Sequence, residues 1–302
     1  MNGHSRSDAS DAGKWIEITR RNARSVQTTV GWIFWDPGAI ARFEELGLPG
    51  PLGYIASRCA PLAGAGAEAV VAAFGSISSV GIHMVFDMLD GPQDFQRFWT
   101  ARDEAIEEGL RRYAPDILEL LEQTGPELWK VVERLPVLGR VMFGSTLAMP
   151  RPQSPVLSGW HAINCLREWR GDTHWAIVVA AGLSHSEASI LHNAWLGYEE
   201  NWLSRSRGNN TEEIEEGWAE LAGRGLATGR TVHPEGVALR QEIEDRTDQA
   251  TTLPWRLLGE GASRRFAEGF EPPCELLLAR VDETAGPNYQ PASRPRPQRP
   301  GQ

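Results

Sequence analysis

The strongest constraint on this chain is a run of helix signals in its second half, arranged in a fixed order. Ser158–Arg170 has the apolar periodicity of a helix that ends near Gly171. Ser184 with Glu187, and Asn210 with Glu213, have capping-box spacing, in which two side chains three residues apart each satisfy a backbone N–H left open at a helix entrance. These boxes open helices that run to about Leu196 and Gly223. Leu226-Ala227, a tight Thr228-Gly229 turn and Thr231-Val232 read as a two-stranded ribbon. Pro234 suits the first turn of a closing helix to about Gln249, because the N–H it lacks would be unpaired there anyway.

Helix, helix, helix, ribbon, helix is the order of a winged helix-turn-helix unit. The first half is also helical. Phe98–Tyr113 and Ile117–Leu135 are amphipathic, the second broken at Gly125-Pro126. Tyr54–Phe74 and His174–Trp195 share a shape: a small-residue apolar helix, a glycine turn, then Glu-Ala opening a helix that ends on an aromatic. The expected fold class is therefore mostly α, a tandem winged helix-turn-helix with small β-ribbon wings. The prolines of Met149–Pro155 forbid helix and mark the boundary. The expected layout is a loose N-terminus (1–13), a degenerate winged-helix half (14–148), a linker (149–157), a winged-helix half (158–284) and a loose Arg/Pro tail (285–302).

Composition narrows the function. A formal net charge of −10 over 302 residues argues against a nucleic-acid coat or an anionic membrane surface as partner, since both require an excess of Lys and Arg. No apolar run is long enough to span a bilayer, and Met1–Gly13 lacks the apolar core of a signal peptide. Cys59, Cys165 and Cys274 are odd in number and far apart, which fits a reducing cytoplasm. Twelve tryptophans are spread along the chain, as core filling or as the walls of a site for a flat or apolar molecule.

The helix that would read DNA in such a fold is Thr211–Gly223. It carries Glu212, Glu213, Glu215, Glu216 and Glu220 and no Lys or Arg. Against a phosphate lattice each carboxylate adds repulsion where counterion-releasing cations are needed. Base reading by this helix is not expected, although a homodimer could assemble a basic surface elsewhere.

Reactive side chains concentrate at 160–174. On a helix His161, Asn164 and Glu168 share one face, and Arg167, Arg170 and His174 another. Two histidines beside a carboxylate can move protons, and two arginines can hold a carboxylate or phosphate. A salt-bridged helix junction, with Asp172 capping the next helix, accounts for the same residues without chemistry. Arg58 is a lone charge in the apolar segment Ser57–Leu62, and Asp172 is a reasonable partner for it. There is no His-Glu-x-x-His, phosphate loop or dinucleotide fingerprint, so neither a metal nor a cofactor is expected.

These segments resemble an actinobacterial family of paired helix-turn-helix proteins, distantly similar to MarR-type regulators. The resemblance runs from about residue 25 to 280. It is carried by Glu45-Leu46-Gly47-Leu48, Arg58-Cys59-Ala60-Pro61-Leu62, Trp160-His161 and Leu166–His174, then by Arg224-Gly225-Leu226, Glu244–Asp248 and Pro254–Gly259. It implies a tandem winged-helix fold and makes Arg58, His161, Arg167, Arg170, Asp172 and His174 motif positions. The chain departs from it at Arg207-Gly208-Asn209-Asn210, where the family shows Arg-Gly-Trp, and at Met149-Pro150, where it shows Trp-Pro.

The function expected is small-molecule binding between the two halves, with the ligand partly apolar and bearing an anionic group, extending to an enzyme of specialised metabolism. Arg58, Arg167 and Arg170 would hold the anion, His161, Asp172 and His174 would handle protons, and Trp160 and Trp175 would wall the apolar part. A ligand-responsive DNA-binding regulator and a non-catalytic interaction scaffold are the alternatives.

Overall fold

The computed structural model describes residues 4–296, with side chains from Asp11 onward. Eight helices make the first half: α1 (His4–Gly31), α2 (Pro37–Glu45), α3 (Leu52–Cys59), α4 (Ala67–Ala73), α5 (Ser79–Met88), α6 (Pro92–Tyr113), α7 (Asp116–Val132) and α8 (Val141–Leu147). The second half holds α9 (Pro155–Ala180), α10 (His185–Leu196), α11 (Trp202–Ser206) and α12 (Thr211–Gly223). A ribbon of β1 (Ala227–Thr228) and β2 (Thr231–Val232) follows, then α13 (Pro234–Ala250), α14 (Leu253–Leu258) and α15 (Glu260–Thr284). The ribbon is antiparallel, with Ala227 opposite Val232 and Thr228 opposite Thr231.

Both expected capping boxes are formed, Ser184 with Glu187 and Asn210 with Glu213. Two expected breaks are not. α7 continues through Gly125-Pro126, because a glycine before proline has no Cβ to clash with the ring. α9 runs unbroken through Gly171-Asp172 for 26 residues. Tertiary packing overrides the glycine, whose cost in a helix is only about 1 kcal/mol. In the first half no strand occurs among the described residues. The α5–α6 connection, Leu89–Gly91, is too short to fold back as a wing.

Helix α9 organises the molecule. From Val156 to Trp169 it is buried almost all round, with its His161, Arg167 and Glu168 side chains hydrogen-bonded within the fold. Its closest neighbour is α7, and the two backbones meet where Gly159 lies against Leu121 and Gly125. One large core joins the first half, this stretch of α9, and α15; a smaller one gathers Val178, α10, α12, the ribbon and Ile243. The division between cores therefore falls inside α9 and not in the 149–157 loop, since a continuous helix carries the apolar surface of both.

The ends also differ from expectation. Residues 4–13 extend α1, while 1–3 lie outside the described residues. Residues 285–296 do not hang free. Tyr289 packs between Trp35 and Trp202, and Gln290 donates to the Gly31 carbonyl. Residues 297–302 lie outside the described residues.

Candidate functional site

The C-terminal part of α9 forms one wall of a cavity of about 750 Å³ between the two halves. α1 and α3 close one side, α10, α11 and α13 the other, and the 289–296 segment covers part of it. That volume suits a drug-sized molecule. Of the twelve tryptophans, eight are core residues and four, Trp35, Trp175, Trp195 and Trp202, are only partly buried. All four line this cavity.

Arg58, Arg167, Arg170, Asp172, His174 and Trp175 all border the cavity. Arg58 finds a different partner from the one expected. Its Nη2 donates to both oxygens of Glu168, at 2.8 and 2.9 Å, and its guanidinium lies 4.1 Å from the Phe74 ring centroid. Asp172 instead accepts the backbone N–H of Phe143 at 2.9 Å, capping the first turn of α8. Arg167 shares Glu168, at 2.7 Å. Burial opposes the charge on Glu168, but Arg58 and Arg167 outweigh it and hold the carboxyl below its ordinary range. Arg170 pairs with Asp248 at 2.8 Å and Glu244 at 3.3 Å. The three arginines expected to hold an anion are thus each neutralised within the fold.

Two ionisable groups differ in what they can do. Thr247 gives its hydroxyl proton to the Ile243 carbonyl, so it accepts from His174 Nδ1–H at 3.1 Å. That fixes the tautomer and leaves Nε2 as an acceptor. Burial, reinforced by Arg240, Arg170 and Arg207, lowers the His174 pKa to about 3. His174 is therefore a hydrogen-bond acceptor near neutral pH rather than a proton carrier. Burial moves Asp172 the other way, to about 7, against the pull of the Phe143 N–H. Asp172 is the cavity-lining group whose proton is exchangeable at neutral pH.

Trp160 and His161 do not reach the cavity. They lie seven residues before Arg167 and Glu168, roughly 10 Å further down the helix axis. The two expected faces of the helix do not divide the residues; the position along its axis does, with Arg167 and Glu168 at the cavity and Trp160 and His161 below it. Trp160 is buried and donates to the Thr29 carbonyl at 2.9 Å, tying α9 to α1. His161 Nε2 donates to the Thr146 carbonyl at 3.1 Å, with its ring stacked on Trp129 and its edge at Trp99. Burial and the nearby Arg102 lower its pKa to about 4. Both residues hold the large core together.

Sequence reasoning missed His192, Trp195, Arg207 and Arg240, which line the opposite wall. Arg240 had a readable signal: it sits on the buried stripe of α13 between Val237 and Ile243, as anomalous as Arg58 in α3. Arg207 follows α11 in a loop, where no periodicity marks it. That loop is clasped to the first half by Ser78, whose N–H donates to the Arg207 carbonyl at 2.9 Å and whose hydroxyl donates to the Gly208 carbonyl at 2.7 Å. Among the described residues no group of three or more His, Cys, Asp or Glu converges as metal ligands would. The three cysteines are free and buried.

A family model described as a helix-turn-helix family matches residues 19–283. The chain belongs to that helix-turn-helix family. No curated protein and no solved structure matches it. In this helix-turn-helix protein α12 buries Ile214, Trp218 and Leu221 and turns Glu212, Glu215, Glu216 and Glu220 outward. Glu215 pairs with Arg230 of the ribbon turn, and Glu220 accepts from Ser184. Among the described helices none is long and apolar enough to cross a membrane.

Proposed function

We propose that this protein binds a small molecule in the cavity between its halves, and that the ligand is partly apolar and carries an anionic group. The observation that carries this reading is the division of the tryptophans, with every one that is not core residing on the cavity wall. Aromatic walls with a few convergent polar groups are the usual make-up of such sites. Of the ten arginines around the same space, Arg205, Arg207 and Arg296 have no carboxylate partner among the described residues, in a chain of net charge −10, which supports the anionic part. Turnover in specialised metabolism would draw on Asp172. The fold is read as a tandem winged-helix arrangement in which, among the described residues, the ribbon lies in the second unit.

Thermal melting and tryptophan emission against a panel of aromatic carboxylates and phosphates test the reading. At least one compound should raise the midpoint and alter the emission, with both responses lost in Trp175→Ala and Trp195→Ala. If no compound produces either response, the reading falls.

A second reading, a ligand-responsive regulator that binds DNA as a dimer, is favoured by the family match. The outward carboxylates of α12 oppose it. Its test is binding to duplex DNA from the chain's own upstream region at low and moderate salt. Tight binding that weakens steeply with salt would support it.

A further inference from the structure

The cations around the cavity are not equivalent. Arg58 and Arg167 share Glu168, Arg170 has Asp248 and Glu244, and Arg20 has Asp245 and Asp248. Arg24 and Arg294 pair with Glu275 and Asp282. Among the described residues Arg207 has no such partner, and its guanidinium makes no hydrogen bond. Arg205 also lacks a partner but is exposed to solvent. Arg296 donates to Gln241 and lies over Trp195.

Arg207 faces further positive charge. Arg240 is buried and pairs with Glu244, a carboxylate it shares with Arg170, and its Nη1 has no acceptor. His174 and His192 are nearby but neutral, and both are held so by burial first. Burial and Arg240 together lower the Arg207 pKa to about 10. Arg207 is partly buried and lines the cavity. A partly buried charge without a counter-ion weakens the fold, and proteins rarely keep one without use. The aromatic part of the site adjoins it: Trp195 carries Arg240 and Arg296 against its ring, with centroid distances of 5.3 and 5.5 Å.

We infer that the anionic group of the ligand is received by Arg207 with Arg240 beside it, at the α11–α13 end of the cavity, while a fused or single aromatic ring lies on Trp195. The ligand class is therefore an aromatic acid, a planar ring bearing carboxylate, sulfonate or phosphate. The anion supplies the counter-charge and acceptors that Arg207 lacks, with the buried Arg240 adding to the local positive potential. This rests on the small-molecule reading above, and it assigns the anion to arginines other than Arg58, Arg167 and Arg170.

Two fluorescent dyes of nearly the same ring system separate the two statements. One is 8-anilinonaphthalene-1-sulfonate, which is anionic; the other is N-phenyl-1-naphthylamine, which is neutral. The full chain should bind both. Arg207→Gln should weaken the sulfonate dye at least about tenfold, equivalent to about 1.4 kcal/mol, and leave the neutral dye within about twofold. Without ligand, R207Q should melt no lower than the wild type, because the guanidinium it removes has no partner. Unchanged sulfonate binding in R207Q, or equal loss of both dyes, would overturn the anion assignment while leaving the cavity reading standing. If the wild type binds neither dye, the cavity reading itself fails.

Discussion

At the scale of single residues, Glu168 and Asp172 are one turn apart on α9 and have opposite fates. Glu168 is buried between two guanidinia, so its removal strands Arg58 and Arg167 as unpaired charges with side chains only 10 and 11% exposed. Glu168→Gln should cost on the order of 3–5 kcal/mol in urea unfolding, the range for breaking one partner of a buried pair. Asp172 has its pKa raised, from an ordinary value of 3.8 to about 7, so the folded state holds a proton that the unfolded state has released. Its contribution is present below pH 4 and is lost as pH rises toward 7. After discounting for its partial access to the cavity, roughly 2 kcal/mol should disappear across that interval. Melting midpoints at pH 5 and 8 should show it: Asp172→Asn, which can still accept the Phe143 N–H, should flatten the wild-type decline. A decline of equal size in the variant would assign it to other groups.

At the scale of elements, the α7–α9 crossing depends on an absence of side chain. A Cβ on Gly159 would overlap the Leu121 carbonyl, and one on Gly125 would come within 3.0 Å of the Gly159 Cα. Gly159→Ala should therefore force the helices apart and cost several kcal/mol in chemical denaturation, as overpacking of a core does. The same substitution at Gly223, with open space around it, should change stability by less than about 1 kcal/mol. Helix entrances were legible from sequence because capping is local: Ser184, Asn210 and Pro234 act within their own turn. Helix continuity was not: at Gly125-Pro126 the missing Cβ lets α7 pass the proline ring, and at Gly171 packing outweighs the small cost of a glycine.

At the scale of the whole molecule, the tail acts as a clasp. Tyr289 meets Trp35 of the first half and Trp202 of the second, while Arg24 donates to the Ser293 carbonyl. Removing residues 286–302 should lower the melting midpoint and raise cleavage at the cavity rim in limited proteolysis. An unchanged digestion pattern would mean that the two halves hold together without it. A chain read as two halves and a linker thus closes as one body, with α9 running through both cores and α15 returning to the first.

By itself the sequence determined the helical class, the entrances of α10, α12 and α13 and the ribbon before α13, because periodicity and capping are written within a few residues. The five-residue α11 carried no such signal. Of the eight residues that the sequence singled out, Arg58, Arg167, Arg170, Asp172, His174 and Trp175 line the cavity and Trp160 and His161 do not. Only the tertiary structure decided which carboxylate answers which arginine, how deep along α9 the cavity begins, and where the unpaired charge lies. Those depend on segments far apart in the chain: Glu168 meets Arg58 across 110 residues, and Arg170 meets Asp248 across 78. Charge balance is a sum over neighbours in space, and a linear pattern carries no record of it.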